Sequence, residues 1–127
     1  METLEQLSQE LMPMHFGTDG YYGITKGDYV IMTSGMLDFV KKTDAIWLMQ
    51  LLNSEEIATI LKKENDANSM LVIKLTSEDG TVKIGLEDGN YIKIWSKTVD
   101  QELLPGEFSF WLEPFKDNLV ALLPSEH

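Results

Sequence analysis

Near Ser69 the apolar residues of this chain change their spacing from three-to-four to two, and that switch decides the fold class. Leu71, Ile73 and Leu75, then Val82, Ile84 and Leu86, then Ile92 and Ile94 alternate with Lys74, Lys83, Lys93 and Lys97, and Phe108, Phe110 and Leu112 continue the rhythm. Alternation of this kind marks strands with one buried face. The connections SEDG (77–80) and EDGN (87–90) supply the Gly and Asn that tight hairpins require. The pattern predicts an antiparallel meander of four to five strands, the last at about 118–123.

Before the switch the spacing is helical. Leu4, Leu7 and Leu11 share one face, Glu5, Gln6, Gln9 and Glu10 lie largely on the other, and Pro13 stops the helix. The stretch HFGTDGYYGITKGDY (15–29) holds four glycines and reads as a turn-rich loop, with short extended pieces around Tyr21–Ile24 and Tyr29–Met32. Three helical pieces follow between about 34 and 64, with Ser34, Thr43 and Ser54 as their expected caps. The middle piece, AIWLMQLLN, is apolar on nearly every side, which places Trp47 at the centre of the core. The expectation is one α+β domain over 1–127, with N-terminal helices packed on one face of a C-terminal antiparallel sheet.

Charge narrows the function. The 127 residues carry 21 Asp and Glu against 10 basic residues, every one of them Lys, for a net charge of -11. Arg is the side chain best shaped for bidentate contact with phosphate and guanine, so its absence argues against direct nucleic-acid binding. A basic protein surface is the complementary partner, although acidic balance also serves solubility alone. Cysteine is absent, which removes disulfides, thiolate metal sites and thiol nucleophiles. METLEQLSQE lacks the pattern of a signal peptide, and no apolar run approaches the ~18 residues of a membrane span, so a soluble cytoplasmic protein is expected.

No motif of a known chemistry emerges. The two histidines, His15 and His127, lie far apart without HExxH spacing, and the turns at 78–80 and 87–90 lack the oxygen ladder of a calcium loop, so no metal is expected. The serines have no nucleophile-elbow context, and no glycine-rich phosphate loop follows a strand. The chain reads as a non-enzyme without a cofactor.

Binding candidates are clearer. If Ile92 and Ile94 face the core, Tyr91, Lys93, Trp95 and Lys97 share the outer sheet face with Lys74, Lys83 and Trp111, a lysine and aromatic surface suited to a partner. The alternative is that the N-terminal helix covers Trp95 and Trp111 with Leu4, Leu7 and Leu11. Tyr21 and Tyr22 in GTDGYYG are candidates for a recognition loop, against the alternative that they seal the core. Glu78, Asp79, Glu87 and Asp88 are the acidic candidates at the hairpin tips.

The stretches FGTDGYY (16–22), VIMTSGMLDFVKKTDAIWLMQLL (30–52), LEDGN (86–90), FSFWLEP (108–114) and LLPSEH (122–127) together resemble an uncharacterised family of small bacterial, plasmid and phage proteins ending in Leu-Leu-Pro-Ser-Glu-Tyr/His. Ser34 stands where that pattern has Asp, and 63–69 is longer than its counterpart. The resemblance brings no catalytic residue, but it implies that LLPSEH is an integral part of the fold and that the setting is a mobile element. Together with the charge it leads to a binding protein that occupies a basic surface on a host protein, in concrete form an anti-CRISPR-like inhibitor of a nucleic-acid-directed defence complex. The alternatives are a nucleotide-sequestering protein using Tyr21, Tyr22, Lys93 and Trp95, and a self-associating module that pairs as a homodimer.

Overall fold

The computed structural model describes residues 2–14, 20–65 and 70–127. His15 and the 17–19 part of the GTDGYYG stretch lie outside the described residues. Helix α1 (Leu4–Leu11) opens with a reciprocal cap: Thr3 Oγ1 accepts from the Gln6 amide at 3.2 Å, and Gln6 Oε1 accepts from the Thr3 amide at 2.8 Å. Strands β1 (Tyr21–Tyr22) and β2 (Val30–Thr33) lead into helices α2 (Ser34–Thr43), α3 (Ile46–Leu52) and α4 (Glu55–Asn65). Strands β3 (Leu71–Glu78), β4 (Thr81–Asp88), β5 (Lys93–Val99), β6 (Gly106–Phe115) and β7 (Asn118–Leu122) follow, and a 3-10 turn at Pro124–Glu126 closes the chain onto α2.

The α+β class holds, but the sheet is larger than the expected four or five antiparallel strands. It has seven, in the order β1-β2-β7-β6-β3-β4-β5. The two extended pieces of the glycine-rich stretch join it, and β2 runs parallel to β7, with Val30, Ile31 and Met32 opposite Leu119, Val120 and Ala121. The expected meander holds only for β3–β4–β5 and for the β6–β7 hairpin, because β6 crosses back to pair with β3 instead of β5. At the β3–β4 tip, Asp79 (φ 51°) and Gly80 (φ 80°) take the left-handed conformations of a tight hairpin.

All four helices pack on one face. Leu4, Leu7 and Leu11 of α1, Phe39 of α2, Leu48 and Leu52 of α3, and Ile57 and Leu61 of α4 join Ile73, Ile84, Phe108 and Phe110 in one buried cluster. Its centre is the stacked pair Phe39–Phe108, whose ring centroids are 4.1 Å apart. Trp47 is not that centre. It is half-buried, Ile46 is 49% exposed, and only Leu48, Met49 and Leu52 of α3 point fully inward. The caps also shift: Thr33 rather than Ser34 caps α2, accepting from Met36 N at 3.3 Å, while Thr43 donates back to the Phe39 carbonyl.

Candidate binding surfaces on the open sheet

The helices leave the other sheet face uncovered, and the register shows what it presents. Helix α1 packs into the core beside Phe108 and Phe110, so the expected alternative of a helix over Trp111 does not occur. Trp111 lies opposite Val72 and Leu122 on the outer face, half-buried, with the His127 ring against its edge at 5.2 Å. Lys74 and Lys83 are exposed on the same face, and Lys74 pairs with Glu87 at 3.3 Å.

Trp95 and Lys97 do not join them. A bulge shifts the register, so that Glu87 lies opposite Lys93 but Leu86 lies opposite Trp95. The extra residue, Ile94, turns the rest of β5 over. Trp95 therefore packs beside Ile94 against the core, and Lys97 follows Ile84 to the helix side, where its Nζ lies 4.0 Å from Glu56. Ile92, expected inside, is 62% exposed, and Tyr91 stands at the hairpin tip with φ 65°. The Asp88 carboxylate holds that tip by accepting from the amides of Asn90 (2.8 Å) and Ile92 (3.0 Å).

The remaining candidates fall far apart. Tyr21 and Tyr22 are on one edge strand, Lys93 and Trp95 on the other; six strand spacings separate them, about 29 Å. They cannot close on one nucleotide. Glu78 and Asp79 sit at the opposite end of the sheet from Glu87 and Asp88, about 23 Å along β3.

Glu78 and Asp79 do have company. Ser77 lies opposite Gly106, Val82 opposite Val99, and the Ser77 hydroxyl donates to the Leu103 carbonyl, which gathers Asp100, Glu102 and Glu107 at the same end. Glu5 joins them because its carboxylate accepts from the Glu107 amide at 3.1 Å, where β6 runs past the end of β7 and would otherwise expose a bare edge. The segments 76–82 and 98–107 contain no lysine. Six carboxylates thus form one acidic pole.

At the other end of the open face lies a cavity of about 220 Å³, lined by Tyr21, Thr33, Glu113, Pro114, Phe115, Val120, Leu122 and Glu126. Tyr21 and Phe115 form its aromatic wall, ring centroids 4.7 Å apart, and the buried Val120 and Leu122 its floor. Glu126 is only 6% exposed. Its Oε1 accepts from Thr33 Oγ1 (2.6 Å) and from the Leu123 amide (2.9 Å), and its Oε2 from the Gly35 amide (3.0 Å). Gly35 must be glycine, because a Cβ there would lie 2.6 Å from the Glu126 carboxyl carbon. Glu113 stands on the rim, 3.4 Å from His127 Nε2. LLPSEH is thus built into the fold: Pro124 starts the turn that drives Glu126 onto the first turn of α2, where the exposed amides and the helix dipole favour a carboxylate.

A second concavity, of about 650 Å³, is lined by Gly27, Asp28, Tyr29, Lys62, Lys116, Asp117 and Asn118. Its two lysines face two aspartates, so it offers no net attraction to an anion. Beside it Asp28 accepts from the Ile24 amide (2.8 Å), the Thr25 amide (3.0 Å) and the Thr25 hydroxyl (2.5 Å). Burial pushes its carboxyl pKa up, but these bonds outweigh that and hold it below the ordinary value. Among the described residues no group of three His, Asp or Glu is placed to hold a metal, and no helix is long and apolar enough to cross a membrane.

Sequence reasoning made LLPSEH an integral part of the fold but did not find Thr33, Glu113 or Phe115 as its neighbours. Glu126 and the Thr-Ser-Gly of residues 33–35 were the available signal, a lone late acid and a small residue at a helix start.

Fold and surface define a class: an open-faced α+β protein, helices on one side of a mixed seven-stranded sheet, with an acidic pole at one end of the sheet and a small acidic cavity at the other. Within that class the chain belongs to DUF6876, a family of unknown function, whose profile matches residues 5–127. It matches no curated protein. Among solved structures it is similar to a protein of unknown function from Enterococcus faecalis, at 19% identity over 81% of this chain and 93% of that one, with a TM-score of 0.46.

Proposed function

We propose that this protein is a non-enzymatic acidic binding protein that docks on a basic protein surface. The placement of charge carries the reading. Glu5, Glu78, Asp79, Asp100, Glu102 and Glu107 converge on one end of the sheet, where Lys83 is the nearest lysine of the paired strands, so acids outnumber bases there and concentrate a negative field. A surface shaped to hold nucleic-acid phosphate is its natural complement. In its most specific form the reading is an anti-CRISPR-like inhibitor of a nucleic-acid-directed host defence complex, acting in the cytoplasm. The mobile-element setting that the family resemblance implies is in keeping with that form.

The nucleotide-sequestering alternative loses support, because its four residues sit on opposite edges of the sheet. Homodimerisation through β5 is disfavoured by the bulge and by Lys93 and Lys97 on that edge strand.

The test is capture on the immobilised protein from a bacterial lysate at about 50 and about 500 mM salt, with the retained proteins identified by mass spectrometry. A nucleic-acid-binding complex retained only at low salt is the expected result. Retention that does not change with salt would exclude docking through charge.

A further inference from the structure

We infer that the cavity between Tyr21 and Phe115 is a binding site for a primary alkylammonium group. This goes beyond docking at the acidic pole, which lies at the other end of β6. Four features specify the ligand.

The first is size. At about 220 Å³ the cavity has room for about seven waters, below the ~300 Å³ at which sites for drug-sized ligands begin. That suits a short unbranched chain better than a nucleotide.

The second is charge. The lining residues include two carboxylates, Glu113 and Glu126, and no lysine. An anion is repelled, and a cation is the only charged group the cavity can hold.

The third is the unspent acceptor on Glu126. A carboxylate has about four acceptor positions, and among the described residues three donors reach this one: two on Oε1 and one on Oε2. One position on Oε2 is left on a side chain that is nine-tenths buried and lines the cavity. An ammonium carries three donors and no acceptor, so it can bond a carboxylate without meeting an unmatched acceptor of its own, and Glu113 adds a second negative charge at the rim.

The fourth is the apolar surround. Val120 and Leu122 make a floor for methylenes, and the Tyr21 and Phe115 rings, packed on each other, make an apolar wall beside it. Lys116 Nζ, 5.4 Å from the Phe115 centroid, already places one ammonium beside this wall. An apolar stem with a cationic tip fits this floor, wall and acidic end. A guanidinium is planar and broader, and a metal ion would leave the apolar floor unused.

The same chemistry reaches the site from two sources, a lysine side chain on another protein or a free amine, and the test separates them. Isotope-labelled protein is titrated, by two-dimensional NMR, with N-acetyl-lysine methylamide, with 1,5-diaminopentane, and with the uncharged isostere N-acetyl-norleucine methylamide. Shifts at Tyr21, Val120, Leu122 and Glu113 that saturate at millimolar lysine amide, with no saturation by the norleucine amide, are expected. Glu113→Gln and Phe115→Ala, both at solvent-accessible positions whose fold is checked in the same spectra, should each weaken binding at least fivefold. Tighter binding of the lysine amide than of the diamine assigns the site to a protein side chain; the reverse order assigns it to a free amine. Equal response to the lysine and norleucine amides, or an unchanged affinity in Glu113→Gln, would overturn the assignment. Reversing Glu78, Asp79 and Glu102 should leave this titration unchanged, so failure here and failure of pole docking are read separately.

Discussion

Removing the Glu126 carboxylate should cost about 3–5 kcal/mol of folding stability. The side chain accepts three hydrogen bonds, from the Thr33 hydroxyl and from the Leu123 and Gly35 amides, in a pocket that leaves it 6% exposed. Bonds to a charged acceptor contribute about 1.5–3 kcal/mol each, and truncation leaves their buried donors without a partner. Summed without correction that is about 4.5–9 kcal/mol, which only overlaps the stated range at its lower end. Two effects reduce it: the bonds share one carboxylate and are not additive, and Glu126→Ala also removes the desolvation cost of a buried charge. Glu126→Gln keeps the shape but turns one oxygen into an NH2. If that group faces Gly35, two bonds survive and one amide meets a donor, a loss of about 2 kcal/mol. The assay is urea unfolding of wild type, Glu126→Gln and Glu126→Ala, with stability taken from the midpoint at constant slope. The order wild type, Gln, Ala is expected, the last lower by the amount given. An Ala variant within about 0.5 kcal/mol of wild type would refute the claim that LLPSEH locks α2 to the sheet.

Three further outcomes follow from single contacts. The Asn53 amide spans the free edge of β2, accepting from Val30 N (2.8 Å) and donating to the carbonyls of Val30 and Met49 (both 3.0 Å), so Asn53→Ala should lower stability by about 2–3 kcal/mol in the same assay. Gly106 holds φ 115° with the Glu5 carboxyl carbon 2.9 Å from where a Cβ would stand; Gly106→Ala should cost about 2–3 kcal/mol, and measurably less in a Glu5→Ala background, which a double-mutant cycle checks. Asp28 has a folded pKa below 3.8, so the unfolded chain binds its proton first as pH falls. Its contribution is therefore complete above that value and lost as pH drops through the lower folded one; Asp28→Asn should flatten the acid limb of the stability curve, and an unchanged limb would deny Asp28 that role.

How far the sequence reached depended on whether pairing was local. The hairpins of β3, β4 and β5 were legible because alternation and the turns at 77–80 and 87–90 lie side by side in the chain. Strand β2 was legible only as an extended piece, since its parallel partner β7 lies at the far end of the chain and nothing near Val30 points to it. Trp95 was misplaced by one bulge residue: a slip of one in a period of two sends every later side chain to the other face. Trp47 was misread because an apolar seven-residue helix looks buried all round until Ile46 is seen on its outer side. The cavity draws Tyr21, Thr33, Glu113 and Glu126 from four separate parts of the chain, and only topology assembles those.

The central claim is that one end of this molecule, and not its charge at large, does the binding. Two triple variants test it at equal charge: Glu78, Asp79 and Glu102 to Lys at the pole, and Asp44, Glu64 and Asp117 to Lys elsewhere. Each set of three reversals moves the net charge from -11 to -5. Affinity for the captured complex is then measured by titration calorimetry at about 100 mM salt. Binding should fall at least a hundredfold in the pole variant and less than fivefold in the other. Equal losses in both, or full binding by the pole variant, would contradict it.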